Sequence, residues 1–242
     1  MYKYDDSFVK KVHEYLYGFS LNDEGYFGEE DVDYLVSGIP AEEEFDYDTG
    51  ATKCVLIPVK GEFVIKIPFN GCVCSCSTCD VEEPLECDRD SCPYHAFENG
   101  GGEYSDDYCA LEVERYEFIK ENYPEFIDFF LPLEKIMEVK HYPVYIQPKC
   151  EIFDYLDSED LIESSTSKES IKTVRSDAAN QISAPAEWLA ICFDNLDKDI
   201  NKYNRFITML KETRISGDLH SKNLGFYKNH AIILDYAGFY DD

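Results

Sequence analysis

The fold assignment depends on two stretches of the sequence, Gly217-Asp218-Leu219-His220-Ser221-Lys222-Asn223 and Ile232-Ile233-Leu234-Asp235-Tyr236-Ala237-Gly238. An aspartate precedes an asparagine by five residues, and a second aspartate follows within an apolar strand and before a glycine. Phosphoryl transfer uses such a set: one carboxylate accepts the proton of the attacking hydroxyl, while an amide and a second carboxylate hold magnesium against ATP phosphates. Residues 224–230 read as a short hairpin, which would bring Asn223 and Asp235 together at one end of two strands.

These residues resemble the catalytic motif of the protein-kinase-like superfamily. The Gly-Asp-Leu-His-x-x-Asn form is similar to that of aminoglycoside and choline phosphotransferases and of small kinase-like proteins of phages and their bacterial hosts. The resemblance implies that Asp218 is the catalytic base and that Asn223 and Asp235 bind magnesium. Gly217 stands where eukaryotic protein kinases have arginine, and Asp235-Tyr236-Ala237-Gly238 replaces Asp-Phe-Gly. Taken alone, the same residues could form a surface turn and a buried strand.

The resemblance also implies a fold and a division of the chain. It predicts an α+β, two-lobed protein-kinase-like fold. The N-lobe would be an antiparallel sheet with one glutamate-bearing helix, and the C-lobe would be minimal and mostly helical. We expect an N-terminal helix and acidic extension over 1–40 and an N-lobe over 41–147 with a Cys-rich insertion at 71–105. The C-lobe, with the catalytic loop and the metal-binding aspartate, would cover 148–242.

Composition indicates a folded protein. Of the 242 residues, 44% are apolar and 15% aromatic, which is too much for a disordered acidic chain. The sequence has no apolar run long enough for a transmembrane helix, and its first residues lack the basic and apolar regions of a signal peptide. We therefore expect a cytoplasmic location, in the host cytoplasm if the protein is phage-encoded.

The formal charge of −28 restricts the partners. It disfavours direct binding to nucleic acid or to an anionic membrane, because both need a basic surface. The charge could serve solubility alone, or it could attract a basic host or partner protein.

The first part of the chain predicts a helix followed by strands. Apolar residues recur at helical spacing over 5–19, and an acidic loop follows to about residue 40. Strands are then predicted at Phe45–Tyr47, Cys54–Ile57 and Phe63–Ile67.

The segment between the first two strands is where the kinase-like family places its phosphate-covering loop. Here it contains a single glycine, Gly50, which would let the backbone approach phosphate, while Thr52 and Lys53 could supply donors. An ordinary hairpin tip is an equal alternative. Lys66 lies among apolar residues in the third strand, where the family places the lysine that binds ATP phosphates.

A helix over 107–122 should carry the glutamate that pairs with Lys66 in this family. Either Asp106 or Asp107 can cap it. Glu112 has apolar residues one, four and seven positions later, as expected of an inward-facing residue, and Glu114 is the second choice. Glutamates on helices are more often solvated.

The remaining segments are assigned by pattern. Residues 129–139 and 142–147 predict a strand pair that leads into a hinge, Gln147-Pro148-Lys149-Cys150, whose backbone groups would bind adenine. A polar stretch at 157–185 should be loop with a short helix. Residues 187–211 predict one long helix, or two in series with a break near Asp194.

A cysteine-rich insertion predicts a metal site. Six of the ten cysteines lie between residues 72 and 92, and without a secretory signal such a cluster favours thiolate–metal binding over disulfides. We expect a structural zinc held by Cys76, Cys79, Cys87 and Cys92, with Cys72, Cys74 and His95 as competing ligands. Free thiols and disulfides are the alternatives. The other four cysteines lie on predicted helices and strands and should pack as small apolar residues.

Two functions follow from the resemblance. One is an ATP- and magnesium-dependent phosphotransferase with catalytic residues Asp218, Lys66 and Glu112. The other is a catalytically weak or inactive kinase-like binding protein, a pseudokinase that engages a host partner through its acidic surface. The sequence ends four residues after Gly238, which leaves no segment corresponding to the family's acceptor-binding helices. That shortness favours the second function, and retention of the polar residues favours the first.

Overall fold

The computed structural model describes residues 6–18, 31–39, 45–50, 52–69, 107–139, 142–153, 168–178, 182–228 and 230–237. They form an α+β protein with two compact units. The first unit lies within Met1–Leu111 and Leu133–Lys149, and the second lies within Glu112–Pro132 and Cys150–Asp242. None of the helices among these residues is long and apolar enough to cross a membrane.

The first unit contains a five-stranded antiparallel sheet with the strand order β1-β2-β3-β5-β4. Its strands are β1 (Phe45–Thr49), β2 (Lys53–Pro58), β3 (Phe63–Pro68), β4 (Glu134–Val139) and β5 (Tyr142–Pro148). Two helices, α1 (Asp6–Gly18) and α2 (Val32–Gly38), precede the sheet.

The two faces of this sheet differ in chemistry. On one face the apolar side chains of β2, β3 and β5 join a core with residues of α1 and α2, among them Phe8, Val12 and Leu35. Because side chains alternate along a strand, every second residue of the same strands belongs to the other face. That face carries polar residues, among them Lys53, Lys66 and Gln147.

Most of the predicted elements of this unit are confirmed, and two predictions are wrong. The predicted helix and the first three strands correspond to α1, β1, β2 and β3. The stretch expected to be an acidic loop contains α2, because Val32, Leu35 and Ile39 are spaced to bury one helical face. The strand expected from residue 129 begins only at Glu134. A 3-10 helix, Pro124–Phe129, comes first, and it is followed by Pro132, which has no amide proton to donate to a sheet.

The second unit is mainly helical. Helix α3 spans Tyr108–Asn122, with the boundary between the units inside it, and α4 (Lys168–Ala178), α5 (Ala186–Asn195) and α6 (Ile200–Glu212) follow. A three-stranded sheet has the order β6-β7-β8, with β6 at Glu151–Ile152, β7 at Leu224–Tyr227 and β8 at His230–Ile233. Two further 3-10 helices, Ile215–Asp218 and Ser221–Asn223, lead into β7.

The helices of this unit follow the sequence predictions. Helix α4 is the short helix expected in the polar stretch, and α5 and α6 are the two helices in series. The break between α5 and α6 ends at Asp199, whose carboxylate accepts the amide protons of Asn201 and Lys202 and so caps α6. Large side chains of α5 and α6, including Trp188, Tyr203 and Phe206, form the core beneath the loop that follows α6.

Gly225 lets β6 and β7 come close together. It pairs with Ile152, and a Cβ atom at this position would lie inside contact distance of the Glu151 carbonyl oxygen and 3.4 Å from the Cys150 sulfur. The carbonyl belongs to the backbone of a paired strand and has little freedom to move. Glycine is therefore required at position 225 by the spacing of the two strands.

We expect Gly225→Ala to lower the free energy of unfolding by about 1–3 kcal/mol, because the strands must separate to admit the methyl group. Chemical denaturation monitored by circular dichroism measures the change. Gly50→Ala is the matched control: the nearest atom to its Cβ, the Lys53 carbonyl oxygen, is 4.0 Å away. Equal stabilities of the two variants would contradict the steric explanation.

Candidate functional site

The hairpin of β7 and β8 brings Asn223 and Asp235 to the same end of two strands, as predicted. Leu224 pairs with Ile233, and the amide of Leu234 donates to the carbonyl oxygen of Asn223 at 2.8 Å. Asp235 is the next residue. The backbone therefore fixes the separation of the two predicted magnesium ligands.

The side chain of Asn223 is held in one orientation by Asp218. Its Nδ2 donates to the backbone carbonyl oxygen of Asp218 at 2.9 Å, and the residue is 9% exposed. A carbonyl oxygen only accepts hydrogen bonds, so the amide nitrogen must be the atom that faces Asp218. The amide oxygen, Oδ1, then points away, and no donor from the described part of the chain contacts it. An amide oxygen in this state suits a hard cation such as magnesium.

Asp218 ends the 3-10 helix that follows α6. Ile215 and Leu219, at the start of this helix and just after it, are fully buried, so the backbone on both sides of the carboxylate is anchored in the core. The side chain of Asp218 is 12% exposed. Its Oδ1 lies 3.6 Å from Nε2 of His220, which is longer than a hydrogen bond. The carboxylate is thus mostly enclosed and fixed in place.

Tyr236 anchors the segment that carries Asp235. Its hydroxyl donates to the carbonyl oxygen of Leu131 at 2.7 Å, and its ring packs edge-on against Phe130 at 5.4 Å. The residue is fully buried, while Asp235 itself is half-buried. The structure gives the hydroxyl of this tyrosine a partner, a detail that the sequence does not reveal.

In the first unit, one face of the sheet carries buried polar residues. Lys66 pairs with Val55 and with Tyr145 on its two sides, and Val64 pairs with Gln147. Paired residues share a face, and the alternation along β2 adds Lys53. Lys53, Lys66 and Gln147 are each at most 5% exposed. We call these four residues, Lys53, Lys66, Tyr145 and Gln147, the cationic face.

The two lysines give the cationic face positive charge, and Asp48 of β1, which pairs with Val55, lies on the same face of the sheet. Two buried ammonium groups on one face are costly unless negative charge or hydrogen-bond acceptors accompany them. The sequence indicated Lys66, but it placed Lys53 in the loop before β2. In the structure Lys53 is the first residue of β2, so its side chain belongs to the sheet.

Tyr145 and Asp107 form a contact that the sequence analysis missed. The Tyr145 hydroxyl lies 2.5 Å from Oδ2 of Asp107, and burial together with this hydrogen bond raises the pKa of Tyr145 far above its usual value. The other oxygen of Asp107 accepts the amide proton of Ala110 at 2.9 Å, so Asp107 also caps α3 as predicted. The sequence contains one indication of this face: Tyr145 and Gln147 are two residues apart on one strand, so their side chains lie on the same side of the sheet.

The two candidate glutamates of α3 differ in burial. Glu112 is fully buried, whereas Glu114 is exposed. A carboxylate has to have favourable partners to remain charged in a buried position. Burial therefore favours Glu112 as the functional glutamate, and its pairing with Lys66 stays a prediction.

The predicted phosphate loop is a hairpin tip. Thr49 pairs with Cys54 across it, and the amide of Gly50 donates to the Lys53 carbonyl oxygen at 3.0 Å. The backbone donor of Gly50 is thus engaged within the hairpin. Thr52 is also part of this turn, and its carbonyl oxygen accepts the amide proton of Phe69 at 2.9 Å.

The predicted adenine-binding segment has one backbone donor fewer than the sequence suggested. Pro148 has no amide proton, and the amide of Lys149 donates to the carbonyl oxygen of Glu62 at 2.7 Å. The side chain of Lys149 reaches the carbonyl oxygen of Pro58, and burial lowers its pKa. Lys149 therefore ties β5 to the β2–β3 turn.

The predicted zinc ligands Cys76, Cys79, Cys87 and Cys92, with their competitors Cys72, Cys74 and His95, lie outside the described residues. Within the described ranges, no group of three or more His, Cys, Asp or Glu side chains is arranged to hold a metal ion. Of the other four cysteines, Cys54, Cys109 and Cys192 are buried, as expected for small apolar residues, and Cys150 is half-buried. Burial, with the nearby carboxylate of Asp48, raises the pKa of Cys54 to about 12.

Comparison with known proteins gave no relatives. No family model matches the sequence, and neither a curated protein nor a solved structure matches the chain.

We expect Asn223→Ala to lower the free energy of unfolding by about 1–3 kcal/mol, because the buried Asp218 carbonyl oxygen loses its donor. Thermal and denaturant unfolding in the absence of nucleotide measure this effect. Asn204→Ala, on the exposed side of α6, is the control and should be neutral or slightly stabilising. A stable Asn223→Ala protein would show that this hydrogen bond does not hold the loop.

Proposed function

We propose that the protein is an ATP- and magnesium-dependent phosphotransferase with a two-lobed, protein-kinase-like fold, acting on an acceptor hydroxyl. The observation that carries the proposal is the orientation of Asn223. Its amide nitrogen is occupied by the Asp218 backbone, so its oxygen is left to accept a cation, and the hairpin fixes the position of Asp235 relative to it. A surface turn would not need a buried asparagine held in this way.

The oxygen donors of Asn223 and Asp235 fit magnesium, which prefers carboxylate and amide oxygens together with phosphate. Bound magnesium would neutralise charge on the β- and γ-phosphates. Asp218 accepts the proton of the acceptor hydroxyl while the hydroxyl oxygen forms a bond to the γ-phosphorus. The bond between that phosphorus and the bridging oxygen breaks, and ADP leaves. The anchored backbone on both sides of Asp218 supports this role.

The cationic face supplies the second part of the proposal. Lys66 would bind the α- and β-phosphates and pair with Glu112, while Lys53 would add a second ammonium group near phosphate. Gln147, the residue of the cationic face that begins the hinge, would contact the nucleotide base. Gly50 and Thr52 would contribute through the hairpin tip. The burial of two lysines on one face supports this assignment.

The alternative function is a kinase-like binding protein with little or no catalysis, which engages a basic host partner through its acidic surface. One observation favours it. The β1–β2 connection is a short turn whose Gly50 amide is already bonded, so it offers fewer backbone donors to phosphate than a glycine-rich loop.

Nucleotide binding should stabilise the protein against heat. Saturation with Mg-ATP at ~100 times its dissociation constant adds ~2.7 kcal/mol, which corresponds to roughly 2–4 °C in Tm for a chain of this size. Lys66→Met and Asp235→Asn should abolish the shift, whereas Lys135→Met, an exposed lysine in the same sheet, should retain it. If the wild-type protein shows no shift, the nucleotide-binding proposal is wrong.

Catalysis is tested separately with ATP hydrolysis, in which water replaces the acceptor. Asp218→Asn should retain the Mg-ATP shift but lose roughly 10²–10⁴-fold in the rate, because only proton transfer is removed. Glu112→Gln should also slow the reaction, with the exposed Glu114→Gln as its control. Binding without hydrolysis in both the wild type and Asp218→Asn would support the alternative function.

We also propose a structural zinc in the Cys-rich insertion. Elemental analysis of purified protein should find about one zinc per chain, since four thiolates satisfy a tetrahedral site. The double variant Cys76→Ser/Cys79→Ser should lose the metal, and Cys150→Ser, outside the insertion, should retain it. Zinc-free protein with a full count of titratable thiols would indicate free cysteines, and a reduced thiol count would indicate disulfides.

A further inference from the structure

The second unit contains a cavity of about 470 Å³ that is built from residues unrelated to the proposed phosphotransferase site. Its walls are the 3-10 helix Pro124–Phe129, the turn after α5, the first two turns of α6, and the first residue of β8. The volume is in the range of pockets that hold small molecules. We call it the hairpin-end pocket, because His230 lies where β8 begins.

The floor of the pocket is aromatic and well packed. Phe126 and Phe129 are almost fully buried, and the ring of Phe129 lies 4.5 Å from that of Phe206, between centroids. The imidazole of His230 packs against Phe129 at 4.7 Å with an interplanar angle of 61°. These rings therefore support the pocket but expose little surface to it, and Leu196 and the imidazole of His230 also line it.

His230 presents a hydrogen-bond acceptor. Its Nδ1 lies 3.0 Å from the carbonyl oxygen of Ala231, and because a carbonyl only accepts, the neutral ring carries its proton on Nδ1. Nε2 is then the atom with a free lone pair. Within the part of the chain that the structure describes, no hydrogen-bond donor contacts Nε2.

The charge of the pocket favours a cation. Three carboxylates and two cationic side chains line it, so its formal charge is −1 with His230 neutral. Arg205 pairs with Glu125, and Lys202 pairs with Asp197 at 3.1 Å. Asp128 is exposed and makes no ion pair or hydrogen bond with a described residue. The chain's charge of −28 adds a long-range field that attracts cations and repels anions.

We propose that the hairpin-end pocket binds a small organic cation, a primary amine or guanidine attached to an apolar body. The N–H groups of the ligand donate to the Asp128 carboxylate and to Nε2 of His230, and the apolar body packs against Leu196 and the imidazole of His230, above the buried rings of Phe126 and Phe129. An ammonium or guanidinium group suits a carboxylate and a lone-pair acceptor at once, because it combines positive charge with several N–H donors. Aromatic rings also favour a nearby cation over an anion.

This site is separate from the proposed phosphotransferase residues and does not depend on them. The hairpin pairs His230 with Tyr227 at one end, whereas Asn223 bonds to Leu234 at the other. Four residues of extended chain separate His230 from Leu234, or about 13 Å at roughly 3.3 Å per residue. The two sites can therefore be tested independently.

The test uses the full-length protein and 2-phenylethylamine, whose ammonium group and phenyl ring match the two parts of the pocket. Isothermal titration should show saturable binding with a dissociation constant of roughly 1 mM or below, as expected for so small a ligand. The neutral 2-phenylethanol and the anionic phenylacetate, of nearly the same shape, should bind at least about tenfold more weakly. In proton NMR, the ring signals of His230, identified by their loss in His230→Phe, should shift on addition of the amine.

Two variants locate the charge and the acceptor. Asp128→Asn and His230→Phe should each weaken amine binding by about tenfold, while Asp33→Asn, an exposed aspartate of the first unit, should leave it unchanged. The proposal is overturned if the alcohol binds as well as the amine, which would mean an apolar pocket only, or if phenylacetate binds best, which would mean an anion site at Lys202 and Arg205. Absence of saturable amine binding, or unchanged affinity in Asp128→Asn, also overturns it.

Discussion

The hydrogen bond from Asn223 to the Asp218 backbone is the interaction on which the candidate site depends. It closes the loop after α6, and the Leu234 amide bonded to the Asn223 carbonyl ties the same residue to β8. Each bond contributes only about 1 kcal/mol net, yet breaking one leaves a buried group unsatisfied at a cost of about 1–3 kcal/mol. Asn223 thus holds two segments of the chain through its side chain and its backbone.

The net charge of the chain and the charge of the two buried lysines of its sheet, Lys53 and Lys66, have opposite signs. The chain has 50 acidic side chains, but charges more than about 8 Å apart are largely screened at physiological ionic strength. Lys53 and Lys66 are buried, so screening by salt is weaker for them than for exposed acids. A polyphosphate close to the cationic face would therefore respond more to these two lysines than to the total charge.

Sequence patterns predicted the elements whose residues repeat with a regular period. Helix α1, the first three strands, helices α5 and α6 and the β7–β8 hairpin all show such a period, and each is present. The break between α5 and α6 interrupts the helical period. Helix α2 was not predicted because its seven residues lie in an acidic segment and include only two buried apolar positions, Val32 and Leu35. Residues 129–133 were predicted as strand because aromatic and other large apolar residues also suit a sheet.

The candidate site was predictable in its residues but not in its contacts. The motif resemblance selects Asp218, Asn223 and Asp235, and the hairpin, which has few geometries, brings the last two to the same end of its strands. Tyr145 with Asp107, and the hydroxyl of Tyr236 with Leu131, join residues 38 and 105 positions apart. No local pattern encodes such pairs, since they result from the packing of the whole unit.

The close approach at Gly225 gives the site a mechanical property. Gly225 lies two residues after Asn223, and it faces the backbone of Glu151 and the sulfur of Cys150 across the narrow gap between β6 and β7. A side chain at 225 would push these strands apart and carry the displacement directly to Asn223. The position of Asn223 therefore depends on Gly225, a residue that has no side chain and no functional group of its own.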